Sequence, residues 1–168
     1  MRKLAIVRHA TAAYPRDVPD HERPLSSFGH EQAPQAGEAL LKEGWVPEAV
    51  LVSSALRTRQ TAAWIGKALG EKGPTPRLTD DLYNASAEQI LAVVNAVPST
   101  VESLLVVTHM PGVQETAMRL ASADSDEDAV MDMASSYPPA GLCLFETQKP
   151  WAELDGRDAE LRRFLTFG

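Results

Sequence analysis

The sequence predicts a three-layer α/β fold built on a mostly parallel, mixed sheet. Short continuous apolar runs recur along the chain, at Leu4–Val7, Ala49–Val52 and Leu104–Val107. Runs of this length, rich in Val, Ile and Leu, read as strands buried on both faces, the kind found in parallel sheets. Segments that read as helices separate them, and strand–helix alternation of this kind covers both faces of one sheet. Two of the runs end in a histidine, at Arg8-His9 and Thr108-His109. Parallel sheets bind ligands just beyond the carboxyl ends of their strands.

The elements follow in order. Lys3 to Arg8 is the first strand, and a polar, proline-containing loop runs from Thr11 to Leu25, long enough to shape a site. Ser27 to Lys42 reads as a helix stopped by Gly44. Pro34 fits that helix only in its first turn or at a kink. The second strand feeds a helix running to Leu69-Gly70, with a serine at its start as the expected N-cap. Pro74 to Leu78 is expected as a short strand. Ser86-Ala87-Glu88-Gln89 has capping-box spacing and opens a helix towards Val97. After the strand ending at His109, Pro111-Gly112 turns the chain into a helix over Val113 to Ala121. Ala123 to Asp132 reads as a solvated acidic loop, because the central Gly and terminal Glu of a calcium-binding loop are missing. Gly141 to Glu146 is a strand, and Ala159 to Phe167 is expected to close an antiparallel edge.

A single histidine at a strand end is ordinarily a hydrogen-bonded structural residue. Here two occur, one directly after Arg8, and Arg57 falls in the first turn of the second helix, where the macrodipole favours an anion. Gln60 and Thr61 share the face of Arg57, while Arg59 points elsewhere and is expected as a solvated charge. Two imidazoles and two guanidinium groups at one sheet edge suit phosphoryl transfer, which is mostly positioning and charge stabilisation.

With these motifs in this order, the chain resembles the histidine phosphatase superfamily, whose fold is shared with cofactor-dependent phosphoglycerate mutases. The resemblance is greatest to the small SixA-like branch of phosphohistidine phosphatases. It rests on Val7-Arg8-His9-Ala10, on Arg23-Pro24-Leu25-Ser26 with Gly29 and Gln32-Ala33, on Ser53 to Ala62, and on Val107-Thr108-His109-Met110-Pro111. It implies a phosphoglycerate mutase-like fold in which residues 1–168 form one histidine phosphatase domain. It further implies that His9 is the nucleophile, that His109 donates to the phosphoryl group, and that Arg8, Arg57 and Arg23 bind its oxygens. Many members place a carboxylic acid before a Tyr-containing turn, which here corresponds to Asp80, with Asp81 second. The superfamily's Arg-His-Gly appears as Arg-His-Ala, so Ala10 is expected to hold a backbone conformation that Gly reaches more easily.

Composition bounds the remaining choices. The length of 168 residues and 44% hydrophobic content suit one domain with a sizeable core. A formal net charge of −7 excludes an electrostatic footprint for nucleic acid. Cys143 lies in an apolar run and reads as a small buried hydrophobe. The apolar run before Arg8 is too short for a signal peptide or a membrane span, so the expected location is cytoplasmic. The expected substrate is a phosphorylated protein or a small phosphoester, with no metal or other cofactor. Three functions follow: a protein phosphohistidine phosphatase; a small-molecule ester phosphatase; and a non-catalytic phosphate reader. The first is preferred because the short chain has no large insertion to cover a metabolite. Its imidazole leaving group also needs less protonation help than an alkoxide. The intact pair His9 and His109 argues against the third.

Overall fold

In the computed structural model, which describes residues 1–168, six strands form one mixed sheet in the order β3-β2-β4-β1-β5-β6. The strands are β1 (Arg2–Arg8), β2 (Ala49–Ser53), β3 (Arg77–Thr79), β4 (Ser103–Thr108), β5 (Leu142–Thr147) and β6 (Glu160–Leu165). The first four are parallel, and β5 and β6 add antiparallel strands beside β1. The helices are α1 (Ser27–Glu43), α2 (Leu56–Leu69), α3 (Ala87–Asn95), α4 (Gly112–Leu120) and α5 (Glu127–Ser135). None is long and apolar enough to cross a membrane.

Alternation along each strand builds the three layers. In β1, Ala5 and Val7 pack with Leu40 of α1 and Ile65 of α2, while Leu4 and Ile6 pack with Ile90 of α3 and Leu120 of α4. Successive side chains point to opposite faces, so these four residues of β1 each have a helix to bury against. The helix after β1 lies on one face and the helix after β4 on the other. These two strands are direct neighbours, with Arg8 paired to Thr108. The crevice between their carboxyl ends is therefore the topological switch point of the sheet, where such folds bind ligands.

Local chemistry explains most element ends. Ser26 caps α1 by accepting from the Gly29 N–H, and Gly44 closes it in the left-handed region at φ 78°. Ser86 and Gln89 form the expected capping box of α3. Pro34 lies well inside α1, past the first turn. There it removes one backbone donor, yet the helix continues to Glu43 because its inner face is held against α2. Gly37 is the point of closest approach, where an added Cβ would lie 2.6 Å from the Ala68 Cβ.

Two expectations need correction. Within the segment expected as an acidic loop, Asp126 caps α5 by accepting from the Ala129 N–H, and Glu127 and Asp128 fill its first turn. Those acids serve the positive end of the helix dipole, while Ala129 and Met133 are buried at helical spacing. The short strand β3 falls at Arg77–Thr79, later than Pro74–Leu78, because only Arg77, Leu78 and Thr79 pair with β2. The closing strand is present as β6, antiparallel to β5.

Candidate active site

The carboxyl ends of β1, β2 and β4 deliver the predicted residues to one cleft of about 190 Å³, lined by Arg8, His9, Arg23, Arg57 and His109 together with Tyr14 and Asn84. The His9 and His109 rings stand edge to face with centroids 5.4 Å apart. His9 leaves β1 with its backbone N–H donating to the Thr108 carbonyl at 3.1 Å, which ties the two strand ends together.

His9 is polarised by its own neighbour. Its Nδ1 lies 2.7 Å from the Ala10 carbonyl oxygen. A carbonyl only accepts, so Nδ1 carries the hydrogen and Nε2 keeps its lone pair. Burial, with Arg57, Arg8 and Arg23 nearby, brings the imidazole pKa down to about 4, against the upward pull of the Ala10 bond. The ring is therefore neutral at pH 7. Ala10 is fully buried and donates its N–H to Thr61 Oγ1 at 3.0 Å. It is not in the left-handed region, which the non-glycine residues Asp17, Asn84, Ala140 and Arg157 occupy. The substitution of Ala for Gly thus costs no backbone strain.

His109 is also neutral, its pKa lowered to about 3 by burial and then by the adjacent His9 and Arg57. Its Nε2 lies 2.7 Å from Ser53 Oγ, and its buried Nδ1 has no protein partner. Ser53 Oγ already accepts from the Ala55 N–H at 3.5 Å and gives its own hydrogen to Nε2, so Nδ1 holds the ring hydrogen and is a buried donor without a protein partner. Buried polar groups are nearly always paired, so an unpaired donor here is suited to a ligand oxygen. A serine at the start of α2 was expected to cap it. Neither Ser53 nor Ser54 does: the N-cap is Ala55 and has no side-chain bond, because the Ser53 hydroxyl is committed to His109 and the Ser54 hydroxyl to Asp80.

The arginines are held on fixed frames. Arg8 Nη1 donates to the Tyr137 carbonyl at 2.8 Å, leaving its buried Nε unpaired, and burial lowers its pKa. Arg57 donates to the Asp20 carbonyl at 2.7 Å and carboxylate at 3.1 Å. Arg23 donates to the Ala13 carbonyl and to Asp20 Oδ1, and lies 3.8 Å from the Tyr14 ring centroid. Arg59 lies outside the cleft, but it is tied to the Ser54 carbonyl and Glu22 rather than freely solvated.

Asp80 is the predicted residue that the fold does not bring to the cleft. Thr79 caps the turn at Asp80–Leu82 through its own side chain. The turn directs the Asp80 carboxylate onto the Ser54 hydroxyl and into a separate groove beside β3, which Asp81 also lines. Asp20 was not anticipated from the sequence. It accepts from Tyr83, Arg23 and Arg57, and those bonds, the Tyr83 hydroxyl foremost, hold its carboxyl far below the usual range. An acid held so firmly ionised is a poor proton donor. Nothing in a lone Asp within a long loop signals such a role, whereas Tyr83 follows the turn already singled out.

The chain is similar to known proteins in both sequence and structure. Residues 4–90 match the family model described as histidine phosphatase superfamily, branch 1. An uncharacterised protein of Mycobacterium tuberculosis is 34% identical over 159 residues, covering 94% of this chain and 98% of the relative. The solved structure of a proposed phosphohistidine phosphatase SixA from Nakamurella multipartita superposes with a TM-score of 0.87 at 32% identity, covering 99% of this chain and 96% of that one. A second proposed SixA, from Agrobacterium tumefaciens, gives 0.79 at 26% identity, covering 98% and 97%.

Proposed function

The chain belongs to the histidine phosphatase superfamily, and from that premise we propose that it is a phosphohistidine phosphatase acting on protein substrates through a phosphohistidine of its own. The observation that carries the reading is the bond from His9 Nδ1 to the Ala10 carbonyl at 2.7 Å. It fixes the tautomer that an attacking Nε2 requires.

In the first step, His9 Nε2 attacks phosphorus in line and the substrate's leaving group departs. Arg8, Arg57 and Arg23 hold the equatorial oxygens with planar donor forks, and His109 Nδ1–H donates to a phosphoryl oxygen. In the second step, water attacks the phosphorus on His9 and releases inorganic phosphate. Charge stabilisation comes from the guanidinium groups and His109, so the mechanism calls on no metal. Each residue role rests on its place around the cleft.

The protein substrate is supported by the size and rim of the cleft. A volume of about 190 Å³ holds the phosphoryl group and leaves the bulk of a protein substrate outside. The absence of a carboxylic acid poised beside the phosphoryl group also suits a P–N bond better than an alkyl ester. The two neighbours named for phosphohistidine phosphatases point the same way. A cytoplasmic location belongs to the same reading.

The test is a turnover screen of a phosphohistidine protein against phosphoserine, aryl phosphate and sugar phosphates. The proposal expects the highest kcat/KM on the phosphohistidine protein. A sugar phosphate turned over faster than it would move the assignment to a small-molecule ester phosphatase.

A further inference from the structure

One imidazole near the cleft, two ring contacts from His109, has no part in the chemistry so far. His21 directly follows Asp20, whose carbonyl is held 2.7 Å from Arg57, so the backbone is pinned to the anion cleft one residue away. The His21 ring packs edge-on against Tyr83 at 4.9 Å, and Tyr83 packs edge-on against His109 at 5.6 Å. The side chain is 36% exposed and does not itself line the cleft, so it stands just outside the phosphoryl pocket, next to Tyr83.

Its orientation is set from behind. His21 Nε2 lies 2.9 Å from Ser54 Oγ, and the Ser54 hydroxyl donates to Asp80 Oδ1. A hydroxyl has one hydrogen. Since Ser54 gives it to Asp80, His21 Nε2 must carry its own and donate to Ser54. The other nitrogen, Nδ1, is then the one free to exchange a proton, with only Glu22 nearby at 3.6 Å. Charged groups around the ring are Glu22, itself paired to Arg59, and Asp80 through Ser54.

We propose that His21, oriented by Asp80 through Ser54, is the proton donor to the distal ring nitrogen of the departing imidazole. The inference rests on the phosphohistidine reading and deepens it. An ester's leaving oxygen is bonded to phosphorus inside the cleft. The distal nitrogen of a phosphoimidazole lies across the ring from its P–N bond, farther out, where a donor just outside the pocket meets it. As His9 Nε2 forms its bond to phosphorus, the P–N bond breaks and its electron pair stays with the departing ring. The proton on His21 Nδ1 passes to the distal nitrogen, so the ring leaves as neutral imidazole, and solvent returns a proton to His21. Asp80, absent from the cleft, acts here as a positioning residue.

The experiment compares kcat/KM for phosphoimidazole and 4-nitrophenyl phosphate, whose leaving group needs no proton. In His21→Gln the ratio of the two is expected to fall about 100-fold, the usual contribution of a positioned acid. In Asp80→Asn the same ratio falls roughly tenfold, a partial share of that contribution. A phosphoimidazolium already methylated at the distal nitrogen should rescue His21→Gln to the rate of the unaltered protein. An unchanged ratio in both variants, or an equal loss on the methylated compound, overturns the role of His21 alone. Failure of the unaltered protein to turn over phosphoimidazole while it hydrolyses 4-nitrophenyl phosphate overturns the phosphohistidine reading beneath it.

Discussion

His9 and His109 are both buried and neutral, yet opposite ring nitrogens are presented to the cleft. In His9 the Ala10 carbonyl takes the Nδ1 hydrogen and leaves Nε2 with its lone pair; in His109 the Ser53 hydroxyl occupies Nε2 and leaves Nδ1–H without a protein partner. On the proposed mechanism, one backbone carbonyl and one serine thus divide two chemically equal side chains into attacker and oxyanion donor. With pKa values near 4 and 3, neither ring gains a proton between pH 8 and pH 5. An NMR titration of the imidazole carbons should show both resonances flat over that range, and a midpoint near 6.5 for either would refute the burial argument. Ser53→Ala removes the bond that fixes the His109 tautomer. It should lower kcat about tenfold to a hundredfold with little change in KM, as expected for a transition-state donor. A loss confined to KM would show that His109 only binds. The strand-end histidines and Arg57 were legible from sequence because buried runs announce where their carboxyl ends lie. The serine expected to cap α2 was misread, since a serine after a strand serves either purpose and Ser53 and Ser54 turn instead to His109 and Asp80.

At the level of elements, the strands were the most legible part, because a strand buried on both faces must be apolar at every position. The helix α5 was hidden by its own stabilisation: acids that cap and complement the helix dipole look like a solvated loop when read by charge alone. Asp126→Ala should cost about 1 kcal/mol, the usual value of a lost N-cap, measurable by chemical denaturation. No loss would mean that the cap is energetically idle. Pro34 misleads in the opposite direction. Its local cost is outweighed by the packing of α1 on α2, in which Ala36, Leu40, Ala62 and Ile65 share one cluster. That packing depends on Gly37, so Gly37→Val should destabilise the fold by about 1–3 kcal/mol through overpacking. A variant of unchanged stability would show that the helices separate easily. Their close approach matters to the site because α1 begins at the loop that carries Arg23, and α2 carries Arg57.

Across the whole molecule, the switch point of the sheet sets where function sits, and the arginine cluster at that point stands out against a net charge of −7. The same buried histidines couple fold to pH. Both have folded-state pKa values below the ordinary 6.5. Their contribution is therefore fully present above pH 6.5 and is lost as pH falls towards 4 and then 3, because the unfolded chain binds the protons first. The melting temperature should fall progressively over that window, and less steeply in His109→Gln; equal slopes would assign the acid sensitivity elsewhere. What sequence could not reach at this scale is the long loop, where Asp20, His21 and Tyr83 meet only through folding. The central claim is that His9 becomes phosphorylated during turnover. Rapid quench under alkaline conditions with a labelled phosphohistidine protein, followed by mapping of the label, tests it most directly. The account predicts a phosphoryl group on His9 of the unaltered protein, and in His9→Ala no label and activity below about a hundredth of normal. Label on another residue, or a His9→Ala protein that retains turnover above that level, would contradict it.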